Sequence, residues 1–483
     1  MKPVRTRIAP SPTGLDLHIG NAYTAYINYI VAKKAGGQFI IRIEDTDRTR
    51  LVEGSEKRIL ASLDWLGIPH DEGPDIGGPY APYRQSDRLP LYKQYAEELV
   101  EKGHAYYCFC TEDRLADMRK KQEEQHLPPM YDGLCKKIPL EEAKKRVANG
   151  DKYVIRLNVP EEGTTVFHDL IRGDISFENR LLDDQVLLKS DGYPTYHLGV
   201  VVDDHIMQIS HIIRGEEWIS STPKHILLYQ FFGWEVPQIA HVSVLRNPDK
   251  SKLSKRKNPV WTDDYRKKGF LPEALKNYFS LMAWAHPEGK EIFTTDEMMK
   301  VFDISQIQTT APVFDQEKLR WMNGEYLRKM DDKRLSTIII DYLSSRPPSR
   351  DLIDEGRFRV KPGMTMDKER LMRIIPLIRD RMKTLGEFES LAGFFFNRPK
   401  EFERPLNQKL LKIGREALES CNWAHDAMEK VIREASDTEG LKAKDVFMEL
   451  RIAITGKTVG PPLLESMELL GKEECLERLS LKI

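Results

Sequence analysis

Along the first 85 residues the apolar positions alternate between a period of two and a period near 3.6. Val4–Ala9 predicts a buried strand, Ser11-Pro12-Thr13-Gly14 a turn, and Ile19–Ala35 a helix that stops at Gly36-Gly37. Gln38–Ile43 predicts a second strand and Gly54–Leu66 a second helix ending at Gly67. Strand, turn, helix, strand, helix is how a doubly wound parallel sheet opens. From about residue 90 to 150 the chain becomes charged and irregular, with a local group of Cys. Tyr153–Val159 and Val186–Lys189 predict strands of an inserted α+β module, and the strand-like Val200–Val202 and Ile239–Leu245 return to the first character. Beyond Gly324 strand signals almost vanish and amphipathic helices run to the end, with Arg346-Pro347-Pro348-Ser349 as a loop among them. The fold class expected is therefore α/β, a parallel sheet split by an insertion and followed by an all-helical region.

At ~150 residues per domain the 483 residues suggest roughly three domains, each able to bury a core. No apolar run approaches the ~20 residues of a membrane helix, and no apolar leader follows Met1-Lys2-Pro3-Val4-Arg5, so a cytoplasmic protein without a membrane partner is expected. Five Cys, sparse and odd in number, argue for a reducing compartment. The balance of 74 Lys+Arg against 75 Asp+Glu taken alone argues mildly against a nucleic-acid partner. The local count changes that picture: Arg357–Lys383 holds nine basic residues against three acids. Such a run is either a solvated helix face or a phosphate-binding patch.

Two motifs carry chemistry. The first, Ala9-Pro10-Ser11-Pro12-Thr13-Gly14…His18-Ile19-Gly20-Asn21, joins the first strand to the first helix, where a helix N-terminus offers free N–H groups to phosphate. Gly20 lets a nucleotide approach the backbone and His18 donates to phosphate oxygens; a Pro-rich turn capping a helix reads the same way. The second, Lys252-Leu253-Ser254-Lys255-Arg256, packs three cations and a hydroxyl between Asn247-Pro248 and Asn258-Pro259. A loop that brings ammonium groups to a triphosphate stabilises charge developing on departing pyrophosphate. Alone it is a basic surface stretch; paired with the first motif at the same sheet edge it becomes a site.

HIGN and KLSKR resemble the HIGH and KMSKS signatures of class I aminoacyl-tRNA synthetases. An ordered series is similar to the bacterial-type glutamyl-tRNA synthetases: RIAPSPTG (Arg7–Gly14), RIEDTDR (Arg42–Arg48), DGYPTYHL (Asp191–Leu198), VVDDH (Val201–His205), IRGEEW (Ile213–Trp218), LRNPDKSKLSKRK (Leu245–Lys257) and FDQEKLRWMNG (Phe314–Gly324). The resemblance implies a Rossmann-type catalytic domain in two halves, 1–83 and 198–258, around an acceptor-binding insertion at 84–197. A stem-contact domain at 259–330 and two helical anticodon-binding subdomains, 331–401 and 402–483, would follow. The implied enzyme is a monomeric glutamate–tRNA ligase that uses ATP with Mg²⁺, L-glutamate and tRNA(Glu). A form that also charges tRNA(Gln), or a non-catalytic tRNA-binding paralogue, would share the fold.

The resemblance also assigns residues. Arg7 and Arg214 would grip carboxylates of glutamate, Glu44 its ammonium, and Tyr196, Ser11 and Ala9 its remaining surface. Without the family, Glu44 reads as a partner of Arg42 or Arg48, Tyr196 as core, and Arg7, among apolar strand residues, as needing a ligand or an acid. His18, Gly20, Asn21, Glu217 and Leu245 would hold ATP, with Lys252, Ser254 and Lys255 on its phosphates; His18, Asn21, Lys252 and Lys255 are the implied catalytic set. The glutamate carboxylate is itself the nucleophile, so no activated Ser or Cys is required.

Three departures from the family pattern stand out. The span from Gly14 to His18 is one residue longer, Gly199-Val200 replaces Ala followed by a polar residue, and Asn21 replaces the last His of HIGH. Cys108-Phe109-Cys110 and Cys135, ~25 residues on, can reach one tetrahedral Zn²⁺ with Tyr131 or a nearby His as fourth ligand, and some family members hold zinc in a similar arrangement. Three reduced thiols are the other reading. In the basic window, Arg381 matches a position where glutamate-restricted enzymes carry Arg against the anticodon.

Overall fold

The computed structural model describes residues 3–251, 253, 259–345 and 368–480. They form two units, Met1–Asp264 with Lys276–Asp315, and Tyr265–Leu275 with Gln316–Ile483. In chain order the first unit runs β1 (Arg5–Ile8), α1 (Ile19–Lys34), β2 (Gln38–Ile41), α2 (Ser55–Trp65), α3 (Leu89–Glu101), β3 (Ala105–Cys108), α4 (Glu112–Glu124) and α5 (Leu140–Ala148). It continues with β4 (Val154–Leu157), β5 (Thr164–Asp169), β6 (Gly173–Glu178), β7 (Val186–Leu188), α6 (Tyr196–Ile206), β8 (His211–Gly215), α7 (Thr222–Phe232) and β9 (Gln238–Val242).

The opening follows from the sequence pattern. β1 is buried throughout and pairs in parallel with β2, Arg5 opposite Gln38 and Ile8 opposite Ile41. α1 crosses between them. It starts at His18, whose Nδ1 accepts the Gly20 N–H at 3.1 Å, and ends with Lys33 and Lys34 in its last turn, where cations complement the helix dipole. Gly37 then admits the backbone of β1: a Cβ there would collide with the Val4 carbonyl, which takes the Gln38 N–H at 2.9 Å. On the other side of β1, the Ser210 N–H donates to the Arg5 carbonyl at 3.0 Å and leads into β8, which pairs in parallel with β9.

β3, β4 and β7 form a separate antiparallel sheet, as expected for an insertion. The hairpin β5–β6 lies in the same stretch of sequence, yet β5 joins the catalytic sheet, with Asp169 opposite Ile239 of β9. The strand expected at Val200–Val202 is instead the middle of α6. Leu198 through Asp204 are all buried, so this helix has no polar face to show a 3.6-residue period, and its three Val read as a strand.

α6 is bound to the sheet by charge. The Asp204 carboxylate takes two bonds from Arg7 (Nε and Nη2, both 3.0 Å) and one from Arg42 Nη1 at 2.7 Å. Asp203 takes Arg88 Nε at 2.8 Å and the Tyr92 hydroxyl and Gln85 amide. Arg42, fully buried, reaches Glu44 at 3.2 Å as well. Three guanidiniums face three carboxylates, so the network is neutral as a whole, the condition under which buried charge is tolerated.

In the second unit, Asp332–Ser344, Lys368–Ile378, Gln408–Glu419, His425–Thr438 and Ala443–Thr455 are the longer helices after Lys329. Leu335, Ile339, Ile374, Leu411, Ile432 and Leu450 belong to its single core. Among the described residues no strand follows Val242, and no helix is long and apolar enough to cross a membrane. The expected loop at Arg346–Ser349 lies outside the described residues, as does the first part of the basic window.

Burial alone would raise the Asp204 carboxyl, but Arg7 and Arg42 hold it below its ordinary value of 3.8. A depressed folded-state value means that its stabilisation is complete above pH ~4 and is lost as pH falls through the depressed value. Asp204→Asn is therefore expected to cost about 3 kcal/mol at pH 7, a deficit that shrinks below pH ~4. Urea unfolding of wild type and variant at pH 7 and pH 3 measures it; a deficit that does not change with pH contradicts the assignment.

Candidate active site

A cavity of about 880 Å³ opens where β1, β8 and β9 end. Its lining brings together Arg7, Ala9, Ser11, His18, Gly20, Asn21, Glu44, Tyr196, Arg214, Glu217 and Leu245. Ligands in open α/β sheets sit at this edge. Lys252, Ser254 and Lys255 lie outside the described residues; Leu253 between them lines the cavity, its N–H donating to Leu245 O at 3.2 Å.

The main chain explains why residues far apart in sequence meet here. Parallel pairing of β1 and β2 carries on past the strands: Arg42 N–H donates to Ile8 O, and Glu44 N–H to Pro10 O at 3.1 Å, which sets the Glu44 carboxylate beside the first motif. The segment after residue 258 is sewn to the same motif. Ile19 N–H donates to Val260 O at 2.7 Å, Thr262 N–H to Leu17 O at 2.9 Å, and Asp263 N–H to the Asp16 carboxylate at 2.9 Å. The Trp261 ring meets His18 edge-on at 6.1 Å. Between Gly14 and His18, Leu15 turns out to solvent at 59% exposure, while Asp16 accepts from the Ser62 hydroxyl at 2.8 Å.

Each candidate glutamate ligand has a definite state. Arg7 is paired with Asp204, and Glu44 with Arg42, so for each an internal ion pair coexists with a place in the cavity wall. Burial raises the Glu44 carboxyl above its usual value, against the opposing pull of Arg42 and Arg7. The Tyr196 ring lies 4.1 Å from Trp218, and its hydroxyl accepts Arg214 Nη1 at 2.8 Å. Val200 is buried and absent from the cavity wall, and Gly199 leaves room for Gln85, whose amide nitrogen would stand 3.0 Å from a Cβ.

Arg214 is the unusual charge. It is 6% exposed, and its bonds go to neutral groups: Tyr196, His225 Nδ1 (3.1 Å), His241 Nε2 (3.1 Å) and the Thr222 hydroxyl (2.9 Å). No described carboxylate pairs with it directly; Asp169 stands one imidazole away, 2.6 Å from His241 Nδ1. A buried guanidinium without an acid at contact distance calls for an anionic ligand. Sequence reasoning placed Arg214 but missed Asp169, Asp203, Asp204, His225 and His241, whose roles depend on pairings that no local pattern displays.

Cys108, Cys110 and Cys135 converge, their sulfurs all within 4.8 Å of one another. Cys110 Sγ lies 3.5 Å from Cys135 Sγ and 3.2 Å from the Tyr131 hydroxyl, which stands 3.5 Å from Cys108 Sγ. Around tetrahedral Zn²⁺ with bonds of ~2.3 Å the sulfurs stand ~3.8 Å apart, so this donor set fits a small reorientation away. In the second unit Arg381 is exposed at the end of the turn Arg379–Arg381, and after burial its charge is what lowers Arg451.

Comparison with known proteins agrees in both units. Residues 3–321 match the family model described as tRNA synthetases class I (E and Q), catalytic domain, and residues 350–483 that of an anticodon binding domain. The glutamate–tRNA ligase of Thermus thermophilus is 46% identical over 489 residues, covering 99% of each chain. That of Acidothermus cellulolyticus is 45% identical over 492 residues, covering 99% of this chain and 94% of its own. A crystal structure of a glutamate tRNA ligase from Elizabethkingia meningosepticum, in complex with its amino acid, gives a TM-score of 0.84 at 35% identity and covers 100% of this chain and 99% of that one. With the two nucleotide motifs, the parallel sheet and the helical region in register with full-length relatives, the chain belongs to the class I tRNA synthetases of the E and Q type.

Proposed function

We propose that the chain is a glutamate–tRNA ligase. The observation that carries this choice within the family is Arg214, buried without a contacting acid in a cavity whose other charges are balanced. Glutamate brings two carboxylates and one ammonium, a net charge of −1, and supplies the missing anion; glutamine is neutral and leaves the guanidinium unmatched.

In this reading Glu44 receives the ammonium, Arg7 and Arg214 the carboxylates, and Tyr196 and Ser11 complete the pocket around Ala9. An oxygen of the α-carboxylate attacks the α-phosphorus of ATP, the bond to the β-phosphate oxygen breaks, and pyrophosphate leaves with its Mg²⁺. His18, Gly20 and Asn21 face the nucleotide from the start of α1, Glu217 and Leu245 take its ribose and adenine, and Lys252, Ser254 and Lys255 neutralise the phosphates. The 2′-hydroxyl of the terminal adenosine of tRNA(Glu) then attacks the acyl carbon and AMP departs. The second unit, with Arg381 on its surface, grips the anticodon of that tRNA.

We also propose that Cys108, Cys110 and Cys135, with Tyr131 or a water as fourth donor, hold one structural Zn²⁺. The convergence of three thiols supports it.

Pyrophosphate exchange tests the first proposal. Exchange is expected with glutamate and tRNA(Glu) present and not with glutamine, and Lys255→Ala should slow it about 100-fold or more while tRNA binding stays intact. Glutamine-driven exchange at equal efficiency would overturn the assignment. The Glu44 carboxyl gives a pH signature. Its value is raised by burial, and a proton there competes with the substrate ammonium, so KM for glutamate should climb as pH falls from 7.5 toward 5. Glu44→Gln should show a high KM without that limb. Metal analysis after growth with zinc is expected to give about one Zn²⁺ per chain, lost in Cys110→Ser. Background zinc in the wild type would remove the metal proposal and leave the ligase reading untouched.

A further inference from the structure

We propose that His225 and His241 are positioning residues for Arg214: two neutral rings fix its guanidinium so that the cavity selects a carboxylate over a carboxamide. This rests on the reading of Arg214 as the partner of a substrate carboxylate.

A guanidinium has five N–H donors and no acceptor, so every neighbour must turn a lone pair toward it. His225 does so with Nδ1 and His241 with Nε2, both at 3.1 Å. The opposite nitrogen of each ring is occupied as well. His241 Nδ1 donates to Asp169 Oδ2 at 2.6 Å, and His225 Nε2 donates to His197 Nδ1 at 3.0 Å. These contacts set one tautomer for each ring, protonated on Nδ1 in His241 and on Nε2 in His225. Burial and the Arg214 charge push both imidazoles below their ordinary value, and burial with Lys224 and Arg214 takes His197 to about 3, so the rings stay uncharged.

The donors can then be counted. Nε is taken by His241, Nη1 by Tyr196 and His225, and one Nη2 proton by the Thr222 hydroxyl, whose own proton goes to Trp218 O at 3.0 Å. One Nη2 proton and the Tyr196 hydroxyl proton remain, on two residues that line the cavity. Both donors thus belong to residues of the cavity wall, one of them carrying the Arg214 charge. A carboxylate satisfies both; a carboxamide turns an NH₂ toward donors that cannot accept it, the mismatch a hydrogen-bonding site rejects most strongly. Acids in place of the histidines would hold Arg214 equally well but would neutralise it. Neutral rings orient the charge and leave it to the ligand.

The test is steady-state pyrophosphate exchange on the full chain with tRNA(Glu), comparing His225→Leu and His225→Asn, with folding followed by thermal unfolding. Asn Oδ1 takes nearly the place of the His Nδ1 lone pair. His225→Leu should raise KM for glutamate about ten-fold or more and lower the preference for glutamate over glutamine, with KM for ATP unchanged. His225→Asn should recover most of both. Equal behaviour of the two variants, a parallel rise in both KM values, or an unchanged KM for glutamate in His225→Leu overturns the proposal. If His225→Leu does not fold, His241→Leu removes the acceptor toward Arg214 Nε and should give the same KM split, and His241→Gln, which keeps an acceptor there, should recover most of it. Arg214→Gln separates the two levels. If it leaves KM for glutamate unchanged, the carboxylate reading itself fails; if it raises KM while the histidine variants do not, only the positioning role fails.

Discussion

Everything at the catalytic edge depends on one requirement: arginines enclosed by a sheet and a helix must each find a partner. Arg7 and Arg42 point from β1 and from the end of β2 into the body of the unit, and the adjacent carboxylates of Asp203 and Asp204 on α6 meet them. Two acids in a row on a helix project about 100° apart, so one faces Arg7 and Arg42 while the other turns to Arg88, Gln85 and Tyr92. The pair therefore ties three parts of the chain to a helix whose first residue is Tyr196. A tyrosine of the cavity wall is thereby set by buried charges.

This explains the division of labour among the cationic groups. Arg7 is balanced from behind and can present only what Asp204 leaves over, whereas Arg214 is oriented by neutral groups and keeps its whole charge. In the proposed reading a dicarboxylic amino acid uses both kinds, one contact that positions and one that discriminates by sign. The near-zero net charge of the chain is a poor guide to a polyanionic partner because charge is uneven along the sequence, Arg357–Lys383 alone holding nine basic residues against three acids.

The elements that announce themselves by periodicity were legible in the sequence. β1, α1, β2 and α2 fall within a residue or two of the expected spans, because runs of buried positions mark them and turn residues or Gly bound most of them. The wall of the cavity was legible too, since its residues lie in motifs at strand and helix ends. What stayed hidden was hidden for physical reasons. α6 is enclosed on all sides and lost its period, so Val200–Val202 passed for a strand. His225 and His241 sit on a helix and a strand that look like ordinary core, and only the fold shows that their lone pairs meet one guanidinium. Asp169 belongs to a strand whose sequence does not alternate with its burial, since Val166 faces out while Thr165 and Asp169 face in, and nothing local says which sheet it joins.

That last strand bears on how the insertion relates to the rest. In sequence, residues 84–197 interrupt the catalytic sheet and invite treatment as a cassette. The hairpin β5–β6 denies this, because it is stitched to β9 and its Asp169 closes the polar chain that ends on Arg214. Cutting the insertion out would remove a strand from the sheet edge and a counter-charge from the substrate pocket together. Exchange of this segment between relatives is therefore constrained by the sheet and by the polar chain behind Arg214. A chimera that keeps the hairpin has its seams inside the insertion, one between β4 and β5 and one between β6 and β7, and not at its ends.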